Sequence, residues 1–263
     1  VYMTAGPGDA ARMAREKAGE MDLVVCCGGD GTFNETISGI LSSGADVPVG
    51  YIPAGTTNDF AASLKLPVDP LIAARNIVEG EPICYDVGKF GDRYFTYVAS
   101  FGAFTRASYN TPQSVKNALG HTAYVLSGIS ELSQIRKEHV RLEMEDRIIE
   151  DDFLFGAICN ATSVGGVLTL DPRLVDLSDG KLELLLVRAP KNLQEITECI
   201  QAIQSQQYNC AMITLLSVDK IKVIANSEMP WTLDGEHEAG HETVNIENQH
   251  LALRVMQRVY IHA

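Results

Sequence analysis

Two stretches of this 263-residue sequence pair glycines with acids in a way that suits phosphate chemistry. The first is Gly28-Gly29-Asp30-Gly31-Thr32-Phe33-Asn34-Glu35, directly after the short apolar run 23–27. A glycine-rich turn between a strand and a helix directs free N–H groups and the positive end of the helix at whatever lies above the sheet. An anion such as a triphosphate suits that place. The same string also suits a tight turn in which Thr32 or Asn34 caps the helix. It is neither a Walker A loop nor a dinucleotide loop, because it lacks G-K-[ST] and G-x-G-x-x-G. The second stretch, residues 53–61, reads Pro-Ala-Gly55-Thr56-Thr-Asn58-Asp59-Phe-Ala and again follows a strand and opens a helix. Two such loops on consecutive strands would lie side by side at the sheet edge where open α/β sheets bind ligands. Each brings a carboxylate, Asp30 and Asp59, to a place unfavourable for acids beside bare phosphate. A divalent cation would reconcile the two.

The elements that must carry these loops alternate. Residues 9–20 have helical spacing, 22–27 read as a buried strand, 33–42 as an amphipathic helix and 47–52 as a second strand, with helices at 59–64 and 70–79. This order implies a parallel sheet covered by helices. After Gly80 short strands dominate: 84–89, 94–100, 139–144, 152–160, 181–188, 221–225 and 251–255, punctuated by turns at 91–92, 179–180 and 234–236. They predict an antiparallel sandwich or open barrel, interrupted by helical patches at 111–137 and 192–205. The expected division is an α/β domain over residues 1–82, a β-rich domain over 83–254, and a tail, 255–263, that returns to the first domain. Residues 1–4 offer only a stub where such a domain opens on a strand, so a preceding strand and loop are expected outside this sequence.

Composition narrows the function. The net charge of −13 argues against nucleic acid, which needs a basic face. The charge is uneven. Residues 1–85 carry 5 Lys and Arg against 11 Asp and Glu, residues 86–150 carry 8 of each, and residues 151–263 carry 8 against 15. The middle segment is therefore the part least repelled by an acidic lipid surface. Six cysteines show no C-x-x-C pair and read as buried thiols. No apolar run approaches the ~20 residues of a membrane span, and no basic-then-apolar leader opens the sequence. His237 and His241 are four apart, but the pattern around them is loop or strand, so zinc is not expected there. Trp231 is expected in the core or the wall of a cleft.

The ordered pair G-G-D-G-T-x-N-E and P-x-G-T-x-N-D-F-A resembles the diacylglycerol kinase catalytic family, which includes bacterial diacylglycerol kinases and sphingosine-type lipid kinases. The resemblance runs through nearly the whole chain. Residues 4–10 look like the family's nucleotide-contacting segment, residues 177–182 resemble its D-G-x-L metal turn, and residues 233–236 resemble its D-G-E turn. The family's N-P-x-[SA]-G opening loop has no counterpart in these 263 residues.

That resemblance implies an incomplete Rossmann-like parallel α/β domain, then an antiparallel β-sandwich domain, with the active cleft between them. It implies ATP and Mg2+ as cofactors and a membrane lipid as substrate, with diacylglycerol converted to phosphatidic acid. Nucleotide binding would fall to Thr4, Gly28, Gly29, Asp30, Gly31, Thr32, Phe33, Asn34, Glu35, Gly55, Thr56, Asn58 and Asp59. Glu236 would accept the proton of the lipid hydroxyl, with Asp234, Asp30 and Asp59 shaping the network that holds magnesium. A second, structural magnesium would take the Asp179 side chain and the carbonyls of Asp176 and Lys181. Without the resemblance, 234–236 reads as a hairpin turn and 179–180 as a plain turn. The family further implies a cytoplasmic protein, peripheral at the inner face of the membrane and able to form a homodimer. Residues 103–137, which mix aromatic and aliphatic side chains with Arg106, Lys116, Arg136 and Lys137, read equally as a lipid-facing helix or one packed on the sandwich. The rivals are an NAD kinase, which shares G-G-D-G-T, and a catalytically inactive lipid or nucleotide sensor.

Overall fold

The computed structural model describes residues 1–56, 58–102, 136–164, 168–171, 173–205, 208 and 210–258. The chain opens with helix α1 (Asp9–Lys17) and a 3₁₀ turn, then strand β1 (Val24–Gly28), α2 (Asp30–Ser43), β2 (Val49–Pro53), α3 (Asp59–Ser63) and α4 (Pro70–Val78). β1 and β2 pair in parallel from Val24↔Val49 to Gly28↔Pro53, so their C-terminal ends and both glycine loops lie side by side as the sequence implied. Phe33 of α2, Tyr51 of β2 and Phe60 of α3 form the centre of this layer, with Phe33 4.2 Å from Tyr51 and 4.7 Å from Phe60 between ring centroids. Gly39 lets α1 approach α2, since a Cβ there would stand 2.3 Å from the Ala11 carbonyl.

The second half is strand-rich. It comprises β3 (Glu81–Phe90), β4 (Arg93–Phe95), β5 (Val98–Gly102), β6 (Glu138–Glu143), β7 (Ile148–Cys159), β8 (Ser163–Val164), β9 (Leu168–Thr169) and β10 (Leu182–Arg188). Helix α5 (Leu193–Ser205) precedes β11 (Ile213–Val218), β12 (Lys220–Ala225), β13 (Trp231–Leu233), β14 (Glu236–Glu238) and the long β15 (Thr243–Gln257). β10 is buried on both faces. Leu182, Leu184 and Leu186 enter one core with Phe101, Leu142, Ile158 and Trp231. Leu185 and Val187 enter another with Ala157, Cys199 and Ile213. Alternation that buries both faces is what a sandwich strand beneath a covering helix requires.

β15 joins the layers. It runs antiparallel to β12 and β3 and meets β2 in parallel at Val255↔Val49. Val87, Leu253 and Val255 accordingly pack in the same core as Phe33 and Tyr51. Among the described residues no helix is long and apolar enough to cross a membrane.

Several expectations need correction. α2 starts at Asp30 rather than at 33, so Asp30, Gly31 and Thr32 form its first turn, and neither Thr32 nor Asn34 caps it. The strand expected over 94–100 is two strands, β4 and β5, because the N–H groups between them turn to a buried carboxylate. β13, β14 and the first half of β15 carry no strong sequence signal, whereas β11, the apolar run Ile213–Val218, carries one and lies outside the expected strands. The thiols are free but not uniformly buried: Cys27 and Cys210 are exposed. Trp231 is a core residue, fully buried. The helical patch at 111–137 lies outside the described residues but for Arg136 and Lys137.

Candidate active site

The two loops touch through backbone. The Ala54 N–H donates to the Gly28 carbonyl at 2.8 Å, and a Cβ on Gly55 would stand 2.6 Å from Gly29 Cα. Only glycine permits that approach. Asn58, in the left-handed region at φ 53°, brackets Gly55: its Oδ1 accepts from Gly55 N at 2.9 Å and its Nδ2 donates to Gly55 O at 3.0 Å. Asp30 crosses from α2 to cap α3, accepting from Asp59 N at 3.1 Å and Phe60 N at 3.3 Å. The N-termini of α2 and α3 therefore meet at the open sheet edge; the first N–H groups of α3 are taken by Asp30, and it is the start of α2, at Gly31 and Thr32, that suits an anion. Burial, and then the neighbouring Asp30, push the Asp59 carboxyl above the ordinary range. Gly55→Ala is expected to lower stability by about 1–3 kcal/mol through overpacking; an unchanged thermal midpoint would contradict the close approach.

Facing these loops is the hairpin of β13 and β14. Leu233 pairs with Glu236, leaving Asp234-Gly235 as a two-residue turn with φ 48° and 81°, the tight turn that the D-G pair favours. Asp234 is buried, 4% exposed. Its Oδ1 accepts from Tyr97 N at 3.0 Å and Val98 N at 2.9 Å. Its Oδ2 accepts from Thr96 N at 2.6 Å, Thr96 Oγ1 at 2.8 Å and Asn34 Nδ2 at 2.5 Å. Burial pushes this carboxyl above its ordinary value, while the N–H groups of Val98, Thr96 and Tyr97 and the Thr96 hydroxyl hold it down. Asn34 also donates to the Tyr94 carbonyl at 3.2 Å, so one side chain of α2 fastens the α/β layer to the hairpin.

That fastening places Glu236. Its Oε1 lies 3.4 Å from the position a Cβ on Gly31 would take, at the first turn of α2. A carboxylate able to accept a proton thus stands over a helix N-terminus able to hold phosphate. Arg93 of β4 reaches both Glu236, at 3.4 Å, and Glu238.

The residues marked out by sequence divide by what they touch. Gly28, Gly29, Asp30, Gly31, Gly55, Asn58 and Asp59 build the loop pair, and Thr32 sits in the first turn of α2. Thr56 is exposed beside them, and Thr4 is exposed in a segment fastened to α2 by Glu35. Phe33 is corrected: it is fully buried and its N–H donates to Gly29 O, so neither its ring nor its amide can meet a nucleotide. Glu35 accepts from Gly8 N at 2.7 Å and Ala10 N at 3.2 Å, tying down the start of α1. Asn34 is the interlayer fastener.

The second turn is organised by a residue that sequence reading missed. Asp86 of β3 is fully buried. It accepts from Gly180 N, Asn248 Nδ2 and Leu251 N, each at 2.7 Å, and lies 2.9 Å from His250 Nδ1. Asp179 Oδ1 accepts from Lys181 N at 2.9 Å, and Asp176 Oδ1 accepts from Ser178 N at 3.0 Å. Around this turn acceptors outnumber donors. Both carboxylate oxygens of Glu183 and the Oδ1 atoms of Asn160 and Asn248 are buried without a partner. Burial, then Asp179, Asp176 and Asp86, push Glu183 up to about 8. Orphaned oxygens beside a carboxylate fit a small, oxygen-seeking cation. Among the described residues no cage of three or more His, Cys, Asp or Glu forms, so such an ion would rely on carbonyls and water for most of its shell.

An α/β layer that presents a helix N-terminus to an acidic hairpin on a β-sandwich can hold a phosphate beside a proton acceptor, the arrangement that phosphoryl transfer requires. The family model of the diacylglycerol kinase catalytic domain matches residues 1–90, and that of the YegS C-terminal NAD kinase beta sandwich-like domain matches residues 98–257. The diacylglycerol kinase of Bacillus subtilis (strain 168) is 31% identical over 238 residues, spanning 90% of this chain and 78% of that protein. A Chromohalobacter salexigens protein named "Probable lipid kinase YegS-like" is 34% identical over 240 residues, spanning 90% of this chain and 76% of the relative. The crystal structure of a diacylglycerol kinase from Bacillus anthracis strain Sterne shares the fold, with a TM-score of 0.73 and 22% identity over 97% of this chain and 83% of that one. The chain belongs to the diacylglycerol kinase catalytic-domain family and is an ATP-dependent lipid kinase.

Proposed function

We propose that the lipid acceptor is diacylglycerol and that the product is phosphatidic acid. The relatives named diacylglycerol kinase support the choice of lipid, and the observation that supports the chemistry is Glu236 Oε1 lying 3.4 Å from where a Cβ on Gly31 would stand, at the N-terminus of α2. The backbone of residues 29–32 and the Gly55 loop, with Thr56 and Thr4 at its rim, hold the triphosphate of ATP. Glu236 takes the proton from the lipid hydroxyl, whose oxygen forms a bond to the γ-phosphorus as the bond to the ADP oxygen breaks. Phosphoryl transfer asks a protein chiefly to position groups and offset charge, and an acid to receive the proton. Asp234 acts indirectly, by fixing the turn that presents Glu236. Asp30 and Asp59 would help to hold magnesium, which would neutralise phosphate charge.

A second magnesium at the Asp179 side chain, with the carbonyls of Asp176 and Lys181, would stabilise the turn held by Asp86. Asp179→Ala is then expected to lose the rise in melting temperature that magnesium gives the wild type, an effect worth about 2.7 kcal/mol at a hundred times Kd. Equal magnesium effects in both proteins would refute that site. The enzyme works in the cytoplasm at the inner face of the membrane, with its electrically balanced middle segment toward acidic lipid, and forms a homodimer. The acceptor is tested with γ-labelled ATP and mixed micelles carrying diacylglycerol, monoacylglycerol, sphingosine, an isoprenoid alcohol or phosphatidylglycerol. Diacylglycerol should take most label, and preferential labelling of another lipid would overturn the substrate assignment.

A further inference from the structure

Arg93 opens β4 and reaches across to the hairpin. One nitrogen, Nη2, lies 3.4 Å from Glu236 Oε2, and the other, Nη1, bonds Glu238 Oε2. Glu236 and Glu238 are two apart on β14, so both side chains leave the same face of the strand. A guanidinium is a rigid planar fork, able to grip two carboxylates at once where an ammonium is a single point charge.

The two carboxylates are not equivalent. The Glu238 side chain is 15% exposed and the Glu236 side chain 43%. Glu238 Oε1 has His241 Nε2 at 3.2 Å, and the His241 ring meets Phe90 edge-on at 5.5 Å. Burial raises the Glu238 carboxyl, but Arg93 and His241 outweigh it and hold it below its ordinary value. A chain of contacts thus runs from the sandwich core through Phe90, His241, Glu238 and Arg93 to Glu236.

Glu236 needs such support. Asp234 fixes the backbone of the turn but leaves the side-chain torsions of Glu236 free, and an exposed glutamate samples several rotamers. A proton acceptor works only when its oxygen is held within hydrogen-bond reach of the reacting hydroxyl. With Oε2 turned to Arg93, it is Oε1 that faces Gly31. Charge adds a second reason. Residues 28–35 and 53–59 contain no Lys or Arg and contribute Asp30, Glu35 and Asp59. A cation beside Glu236 offsets the repulsion between an ionised base and an incoming polyphosphate.

We propose that Arg93 is a positioning residue for phosphoryl transfer, orienting Glu236 so that Oε1 receives the acceptor's proton, with Glu238 and His241 holding Arg93 in place. The proposal rests on Glu236 as the proton acceptor. An ordinary surface ion pair would behave differently, because its removal changes stability by about 0–1 kcal/mol and leaves chemistry alone.

The test measures kcat, KM for ATP, KM for diacylglycerol in mixed micelles and melting temperature on the full chain for Arg93→Met, Arg93→Lys, Glu238→Gln and Glu236→Gln. Arg93→Met should lower kcat by about 10–100-fold while both KM values stay within about threefold. Arg93→Lys should recover part of the loss, and Glu238→Gln should lower kcat less than Arg93→Met does. A kcat within twofold of wild type in Arg93→Met would overturn the proposal. So would a loss confined to KM, which would make Arg93 a substrate contact, or an Arg93→Lys variant no better than Arg93→Met. Should the Arg93 variants fail to fold, Glu238→Gln decides: an unchanged kcat there removes the buttress. Wild-type turnover in Glu236→Gln would instead refute the base, whatever Arg93 does.

Discussion

Asp234→Ala is expected to cost about 3–5 kcal/mol of folding stability, a large share of the roughly 5–15 kcal/mol that holds a domain folded. The cause is local. Thr96 N, Tyr97 N, Val98 N, Thr96 Oγ1 and Asn34 Nδ2 all donate to one buried carboxylate. Removing it strands these donors where water does not reach, since Thr96 and Asn34 are 1% and 8% exposed. Asp234→Asn keeps the shape but turns an NH2 group toward donors, so it should fall between Ala and wild type. Urea denaturation reads the effect as a lower midpoint at unchanged slope. A midpoint loss equivalent to less than about 1 kcal/mol would mean that the hub is not formed.

Glu236→Gln should show the opposite signature. The side chain is 43% exposed and its ion pair with Arg93 is worth little to folding. Its expected cost is kinetic: turnover should drop about 10²–10⁴-fold, the range a positioned proton acceptor supplies. ATP affinity and melting temperature should stay near wild type. Comparable turnover in variant and wild type would remove Glu236 from the chemistry. Neighbouring acids on one hairpin thus differ in kind, one acting through folding and the other through the reaction.

The parallel strands and their glycine loops were legible because their signals are local. A strand that ends in Gly28-Gly29 and a helix that begins at Asp30 declare themselves within a few residues, and so does the D-G turn at 234–235. What the side chains do there was not legible, because their partners are distant in sequence. Glu35 serves residues 8–10, Asn34 serves Asp234, and Asp30 serves α3. Phe33 sits inside a motif rich in polar residues yet belongs to the core, and helical period alone would have put it there, four residues before Ile37. The break between β4 and β5 has the same origin: Thr96 and Tyr97 give their N–H groups to a carboxylate more than 130 residues away. Asp86 was missed because an isolated acid in an apolar strand carries no spacing signal, and only its partners from the 180 and 248–251 regions reveal it. Polar residues at 245, 247, 248 and 250 mask the first half of β15, a strand that leans on β12 and β3.

The central claim, that this cleft moves the γ-phosphate of ATP to a lipid hydroxyl, is tested most directly by competition. Purified protein is given γ-labelled ATP, magnesium, NAD and mixed micelles carrying diacylglycerol together with monoacylglycerol, sphingosine, an isoprenoid alcohol and phosphatidylglycerol, and the labelled products are separated. Label should appear in phosphatidic acid, and NAD should remain unlabelled. Label on NAD, or ATP hydrolysis with no labelled lipid, would contradict the account.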